Sequence, residues 1–243
     1  MFQMATKSRL KTTPAGAKKS PAPRQRLSTA ERERQIVDSA IQFFTERGLD
    51  GQTRDLAQQI GITHPLLYHY FPSKRDLIER VYQEVYLDRW KPEWESMLDD
   101  RTMTLQDRLT RFYTDYATTI LTKDWVRILL YSALSDGFIP GKYMGLLSEK
   151  LFPRIVRETR HHLGLRRRSA PTEAERELVW GLHGGVFYIG IRRWLYNLEM
   201  PEDLPATLAD RVRAYMLAAP EVHARASAQG AAAGPKEKAR VSR

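Results

Sequence analysis

The side chains able to do chemistry are densest in residues 53–78, TRDLAQQIGITHPLLYHYFPSKRDLI. Here Thr53, Thr63, His64, Tyr68, His69 and Lys74 bring hydroxyl, imidazole, phenol and ammonium groups into one short stretch. Such groups donate to phosphate oxygens and base edges, and nothing in their order resembles a nucleophile with its base. The six histidines (64, 69, 161, 162, 183 and 223) show no metal-ligand spacing, neither His-Glu-x-x-His nor an acidic cluster beside them. There is no Cys to supply a thiolate, no Gly-x-Ser-x-Gly and no phosphate-cradling glycine loop. No catalytic set, no metal and no cofactor are therefore expected.

The elements that position these groups are short helices with readable ends. Ser28 with Glu31 three residues on forms a capping box, Ile36, Val37, Ala40, Ile41, Phe43 and Phe44 form one apolar stripe, and Gly48 supplies a stop. A second helix is expected with Thr53 as its cap, Leu56, Ala57 and Ile60 as its buried face and Gly61 at its end. Thr63 caps a third through Tyr70, with Pro65 in the first turn, where a missing amide hydrogen costs nothing. Pro72 ends it, and Ser73 caps a fourth carrying Leu77, Ile78, Val81 and Val85. Two short helices joined at Gly61-Ile62-Thr63 have the spacing of a helix-turn-helix, whose second helix enters the DNA major groove. The same spacing also occurs in all-α proteins that bind no DNA.

The residues themselves go further. The order Gly61, Ile62, Thr63, Leu67, Tyr68, Tyr70, Phe71, Lys74, preceded by an amphipathic helix ending in Gly48, resembles the signature of the TetR family of bacterial transcriptional regulators over residues 29–75. The resemblance implies an all-α chain: a three-helix helix-turn-helix domain followed by a larger helical domain for ligand binding and dimerisation. It implies double-stranded DNA as partner, read as an inverted-repeat operator by a homodimer, and a small-molecule effector that releases a repressor. Carried onto these positions, Thr53 and Thr63 present helix starts to phosphates. Tyr68 and Lys74 hold the backbone, and His64, Pro65 and Leu66 face bases, with His69 one turn on. His64 can donate or accept, whereas Pro65 and Leu66 offer only apolar contact, best suited to a thymine methyl. Leu66 departs from the small or hydroxylated residue often found there, which removes one polar contact. Leu67, Tyr70 and Phe71 are expected to be core.

Further on, helices are expected at 105–121, 124–136, 143–163, 173–198 and 204–218, with turns at Asp136-Gly137, Pro140-Gly141, Ser169 to Pro171 and Pro201 to Pro205. Gly181, Gly184, Gly185 and Gly190 fall inside one of them, and each costs roughly 1 kcal/mol relative to Ala. Close backbone approach compensates such a cost; a break at Gly184-Gly185 is the alternative. The resemblance assigns the last two helices to a dimer interface, through Gly181, Gly184, Gly185 and Trp194. For an effector pocket, Trp125, Arg127, Tyr131, Trp180, His183, Phe187 and Tyr188 are the candidates, with Arg127 and Arg192 as partners for an acidic effector. Ordinary core is the alternative for the aromatic set.

Four segments follow: a basic tail at 1–27, the DNA-binding domain at 28–78, the effector and dimerisation domain at 79–219, and a second tail at 220–243. Of the net charge of +10, +7 lies in residues 1–28 and +3 in 220–243, so the middle is neutral and the basicity belongs to the tails. At 42% hydrophobic content the 243 residues can bury a substantial core, and no apolar run reaches the ~18 residues of a membrane span. A basic N-terminus without an apolar stretch is no secretory signal, and the absence of Cys suits a reducing cytoplasm, with the bacterial nucleoid as the place of work. An all-α enzyme and a helical scaffold without DNA affinity are the competing readings.

Overall fold

A computed structural model of the chain describes residues 27–166 and 169–233. Among these the secondary structure is helical: α1 (Thr29–Arg47), α2 (Thr53–Ile60), α3 (His64–Tyr70), α4 (Lys74–Tyr82), α5 (Glu93–Asp99), α6 (Leu105–Ile120), α7 (Lys123–Leu134), α8 (Phe138–Leu146), α9 (Phe152–His162), α10 (Glu173–Trp194) and α11 (Leu204–Ala233). None of these helices is long and apolar enough to cross a membrane. The basic tail expected at 1–27 lies outside the described residues except for Leu27, as do residues 234–243.

The first four helices begin and end close to where their local chemistry requires. Ser28 and Glu31 close a capping box on α1, Ser73 and Asp76 close another on α4, and Thr63 Oγ1 accepts from the Leu66 amide at 3.3 Å. Ile36, Val37, Ala40, Phe43 and Phe44 of α1 pack with Leu56, Leu67, Leu77 and Val81 into a core continuous with that of the larger domain. At the junction, the Tyr131 ring of α7 lies 3.4 Å from where a Cβ on Gly48 would stand, and Arg75 pairs with Asp136 at 3.2 Å.

Several expectations of the sequence are corrected. Gln52, not Thr53, is the N-cap of α2, and Thr53 is its first helical residue. Residues 93–99 form α5, which the sequence reading did not include; Trp94 and Leu98, four apart, bury its one apolar face. Pro140-Gly141 is not a turn but part of the first turn of α8, where proline's missing amide hydrogen leaves no bond unmade. The helix expected at 143–163 is α8 and α9 joined by a π-helical turn at Leu147–Leu151. Pro153 explains the joint: it cannot donate to Glu149, and the Phe152 amide reaches back five residues to Leu147 instead. The tail expected from 220 is helical to Ala233. Pro220 sits inside α11, while His223 and Ala226, each 1% exposed, hold its continuation on the body.

The helix α10 is unbroken through its four glycines, which serve different ends. A Cβ on Gly190 would stand 2.9 Å from Val126 Cγ2 and 3.1 Å from Leu121 Cδ2, so this glycine admits α7 against α10. Gly190→Leu is expected to lower stability by about 1–3 kcal/mol in denaturant unfolding through overpacking. An unchanged midpoint would mean that α7 does not pack where described.

Candidate nucleic-acid interface

The turn between α2 and α3 is closed by backbone geometry. Gly61 has φ 75°, ψ 34°, its amide donates to Gln58 O at 3.1 Å, and the Ile62 amide donates to Ala57 O at 3.0 Å. That pair of bonds is a Schellman stop, which requires a left-handed residue and so favours glycine at 61. Ile62 packs partly buried on the core, and Leu67 (2% exposed) and Phe71 (7%) anchor α3 from below. What remains outward on α3 is Pro65, Tyr68 and His69, with His64 and Leu66 half-buried.

Three of the expected DNA-contacting residues form one cluster. Thr53 Oγ1 lies 3.0 Å from His64 Nε2 and 3.2 Å from Tyr68 Oη, and the His64 and Tyr68 rings meet edge-to-face at 4.8 Å. The hydroxyl of Thr53 thus joins the start of α2 to α3 instead of capping its own helix. It occupies one nitrogen of His64, which leaves the other for a base. Lys74 is the first residue of α4, behind the Ser73–Asp76 capping box, and makes no ion pair among the described residues. Arg54, beside Thr53 in the first turn of α2, is exposed and likewise without a salt bridge among the described residues. Sequence reasoning does not single it out; a cation beside Thr53 at a helix start was the available signal. Cations and free amides at the starts of α2, α3 and α4 suit a polyanion.

The residues expected to line an effector pocket divide into three groups. Trp125, Trp180, His183 and Phe187 share one ring-packed interior: Trp125 lies 5.8 Å from Phe187, and Trp180 6.2 Å from His183. Arg127 and Tyr131 lie elsewhere, at the junction beside Gly48, where Arg127 Nη2 donates to Tyr131 Oη at 2.6 Å. Tyr188 is 47% exposed on the outer side of α10, with Arg192 over its ring at 5.9 Å and Tyr196 6.3 Å away. Arg127 is thus engaged with Tyr131 at the junction, and Arg192 lies beside Tyr188. Burial pushes His183 down to about 4, so the imidazole inside is neutral.

The four residues expected at a dimer interface also divide. Gly181 and Gly184 have nothing within 4 Å of a would-be Cβ, so the chain's own packing does not require them to be glycine. Gly185 instead accommodates Arg211 of α11, whose Nη1 would be 2.8 Å from a Cβ. Trp194 is tied inward, its Nε1 donating to Leu121 O at 2.6 Å.

Comparison with known proteins bears on the fold and on the N-terminal domain. Residues 36–81 match the family model described as bacterial regulatory proteins, tetR family. The chain is 32% identical over 85 residues to the tetracycline repressor protein class D of Escherichia coli, covering 32% of this chain and 39% of that protein. It is 34% identical over 86 residues to the HTH-type transcriptional repressor KstR2 of Mycolicibacterium smegmatis, covering 35% and 42%. The matched stretch thus spans about two fifths of each relative's length. Over the whole fold, a TetR-like transcriptional regulator from Rhodococcus sp. RHA1 superposes with TM-score 0.59 at 19% identity, covering 79% of this chain and 97% of the other. A tetR-family regulator from Streptomyces coelicolor gives 0.56 at 18%, covering 82% and 87%.

Proposed function

We propose that this chain, whose N-terminal domain belongs to the TetR family of bacterial regulatory proteins, is a cytoplasmic transcriptional repressor. It binds an inverted-repeat operator as a homodimer and is released when a small molecule enters its helical domain. The observation that carries this reading is the outward face of α3: Thr63 caps it, Leu67 and Phe71 fix it, and Pro65, Tyr68 and His69 are exposed, with Arg54 and Lys74 at the starts of α2 and α4. Its geometry is that of a helix meant to lie in a major groove. In this reading Tyr68, Lys74 and Arg54 hold phosphates, and His64, Pro65 and Leu66 meet base edges. Two curated relatives, matched over about two fifths of their length, are named as repressors. A helical enzyme or an inert scaffold would have no use for free cations at the starts of both α2 and α4, on either side of an exposed α3.

Dimerisation through α10 and α11 is supported by the open Gly181 and Gly184 and by Leu217, which is 76% exposed on α11. A Cβ at Gly181 meets nothing within 4 Å in the protomer, so Gly181→Leu is chosen to disturb the interface more than the fold. The wild type is expected to scatter light as a dimer and to retard promoter DNA adjacent to its own gene. The variant, with unchanged helical circular dichroism, should be monomeric and lose on the order of 100-fold in DNA affinity, because the second half-site no longer binds intramolecularly. A variant that stays dimeric moves the interface elsewhere on the surface. A wild type that retards no DNA contradicts the regulator reading.

A further inference from the structure

The domain proposed to bind DNA is not itself basic. Residues 28–78 hold six Lys or Arg against seven Asp or Glu, a net charge of −1 with histidines neutral. A protein that closes on a duplex draws much of its affinity from cations that displace counterions, and this domain has no surplus of them. The surplus stands just before it in the chain. Residues 1–26 hold seven Lys or Arg and no acid.

The structure shows where that segment joins the body. Leu27, 38% exposed, directly precedes the Ser28 cap of α1. It opens onto the same surface hollow as Arg32 of α1, Gly61, Ile62 and Thr63 of the α2–α3 turn, and Leu66 of α3. The chain therefore enters the fold beside the start of α3. Covalent geometry then limits where the nearest cations lie. Consecutive Cα atoms are about 3.8 Å apart, so Arg26 is one step from Leu27 and Arg24 at most about 11 Å away, roughly a Debye length at physiological salt. Lys7, the farthest of the seven, lies at most about 70 Å of extended chain away, roughly two turns of B-DNA. The two acids closest in the chain are already engaged. Glu31 accepts from the Ser28 amide at 2.8 Å, and Glu33 pairs with Arg80 at 3.8 Å.

We infer that residues 1–26 make a second, sequence-independent contact with DNA, in which Arg24 and Arg26 hold phosphates flanking the groove that α3 enters and the cations before them follow the backbone outward. This rests on the regulator reading above and supplies the charge that the helix-turn-helix domain lacks. Phosphates are the matching partner because cations without interleaved acids answer to charge alone. An anionic membrane matches less well. The four large apolar residues, Met1, Phe2, Met4 and Leu10, all lie in the first ten positions, so no apolar face accompanies the arginines.

Fluorescence anisotropy of the full chain tests this on two duplexes, promoter DNA beside its own gene and a scrambled duplex of the same composition, at roughly 50 to 200 mM salt. Arg24→Gln with Arg26→Gln should flatten the slope of log affinity against log salt by about 1.8 per protomer bound, at about 0.9 per phosphate, on both duplexes alike. Over that range the wild type should thus lose about 10-fold more affinity per protomer than the variant. Replacing all seven cations of residues 1–26 with glutamine should flatten the slope further, with unchanged helical circular dichroism and an unchanged affinity ratio between the duplexes. Arg24→Lys with Arg26→Lys should keep the wild-type slope, since the charge is retained. An unchanged slope in the seven-fold variant overturns the proposal and leaves the regulator reading in place. A wild-type slope in the two-arginine variant overturns the placement beside α3, and a changed duplex ratio overturns the sequence independence. A wild type that binds neither duplex, or binds phosphatidylglycerol vesicles and no DNA, takes the regulator reading down with the proposal.

Discussion

Replacing Glu175 with alanine is expected to destabilise the helical domain by about 3–5 kcal/mol, because it leaves the buried Arg160 without its counter-charge. Glu175 is 1% exposed at the start of α10, and it holds three elements together. Its Oε2 accepts from Arg160 Nη2 of α9 at 2.5 Å, and its Oε1 lies 2.9 Å from His223 Nδ1 of α11. The same carboxylate closes the capping box of its own helix, accepting from the Thr172 amide at 2.7 Å. Burial pushes this carboxyl up, but the hydrogen bonds from Arg160 and Thr172 outweigh it and hold it at about 2. Glu158 is held at about 2 in the same way, where burial is overcome by Arg101, Arg157 and Arg108. Both folded values lie below the unfolded one, so the stability they supply is present above pH 4.5 and is lost as pH falls from there towards about 2. Thermal melts from pH 7 to pH 2 should show that loss in the wild type and a flatter profile in Glu175→Ala. A variant within 1 kcal/mol of wild type at neutral pH would show that Glu175 does not tie α9 and α11 to α10.

The hub also explains where the sequence was legible and where it was not. Helices α1 to α4 could be read because their ends are decided by neighbours in the chain: Ser28 with Glu31, Gly61 at a left-handed stop, Thr63 over Leu66, Ser73 opening α4. The same local logic misassigned Thr53, whose hydroxyl serves His64 and Tyr68 on another helix, a contact invisible to a reading of adjacent residues. The continuation of α11 past Pro220 depends on His223 reaching Glu175 from 48 positions away, so a proline in an alanine-rich stretch read as an end. Which face of α7 points inward was also beyond the sequence: Trp125 enters the ring-packed interior, while Arg127 and Tyr131 turn to Gly48. The aromatic set was identifiable by type, but its division between interior, junction and surface is a property of packing.

Two substitutions on the DNA-binding face are expected to differ in kind as well as size. If Lys74 holds a phosphate as proposed, Lys74→Ala should weaken binding to all sequences about equally and flatten the dependence of log affinity on log salt by about 0.9, one phosphate contact. In the proposed reading His64 meets a base with the ring nitrogen that Thr53 does not occupy. His64→Ala should cost about 1–3 kcal/mol at the preferred operator, up to roughly a hundredfold, and relax preference at one base pair per half-site. Because the His64 ring also steadies Tyr68, a smaller uniform loss should accompany the specific one. A uniform loss alone would move base reading to other residues of α3, with Pro65 and His69 the next exposed positions.

The most direct test of the central claim is selection of operators by the wild-type protein from a randomised double-stranded DNA library, followed by footprinting. Two recognition helices related by a dyad reach successive major grooves only when their half-sites lie about 10–10.5 base pairs apart, or a multiple of that. The expected result is an enriched inverted repeat with that spacing, protected on one face of the duplex. Enrichment of no sequence, or of a single unrepeated site, would contradict a dimeric repressor reading DNA through α3.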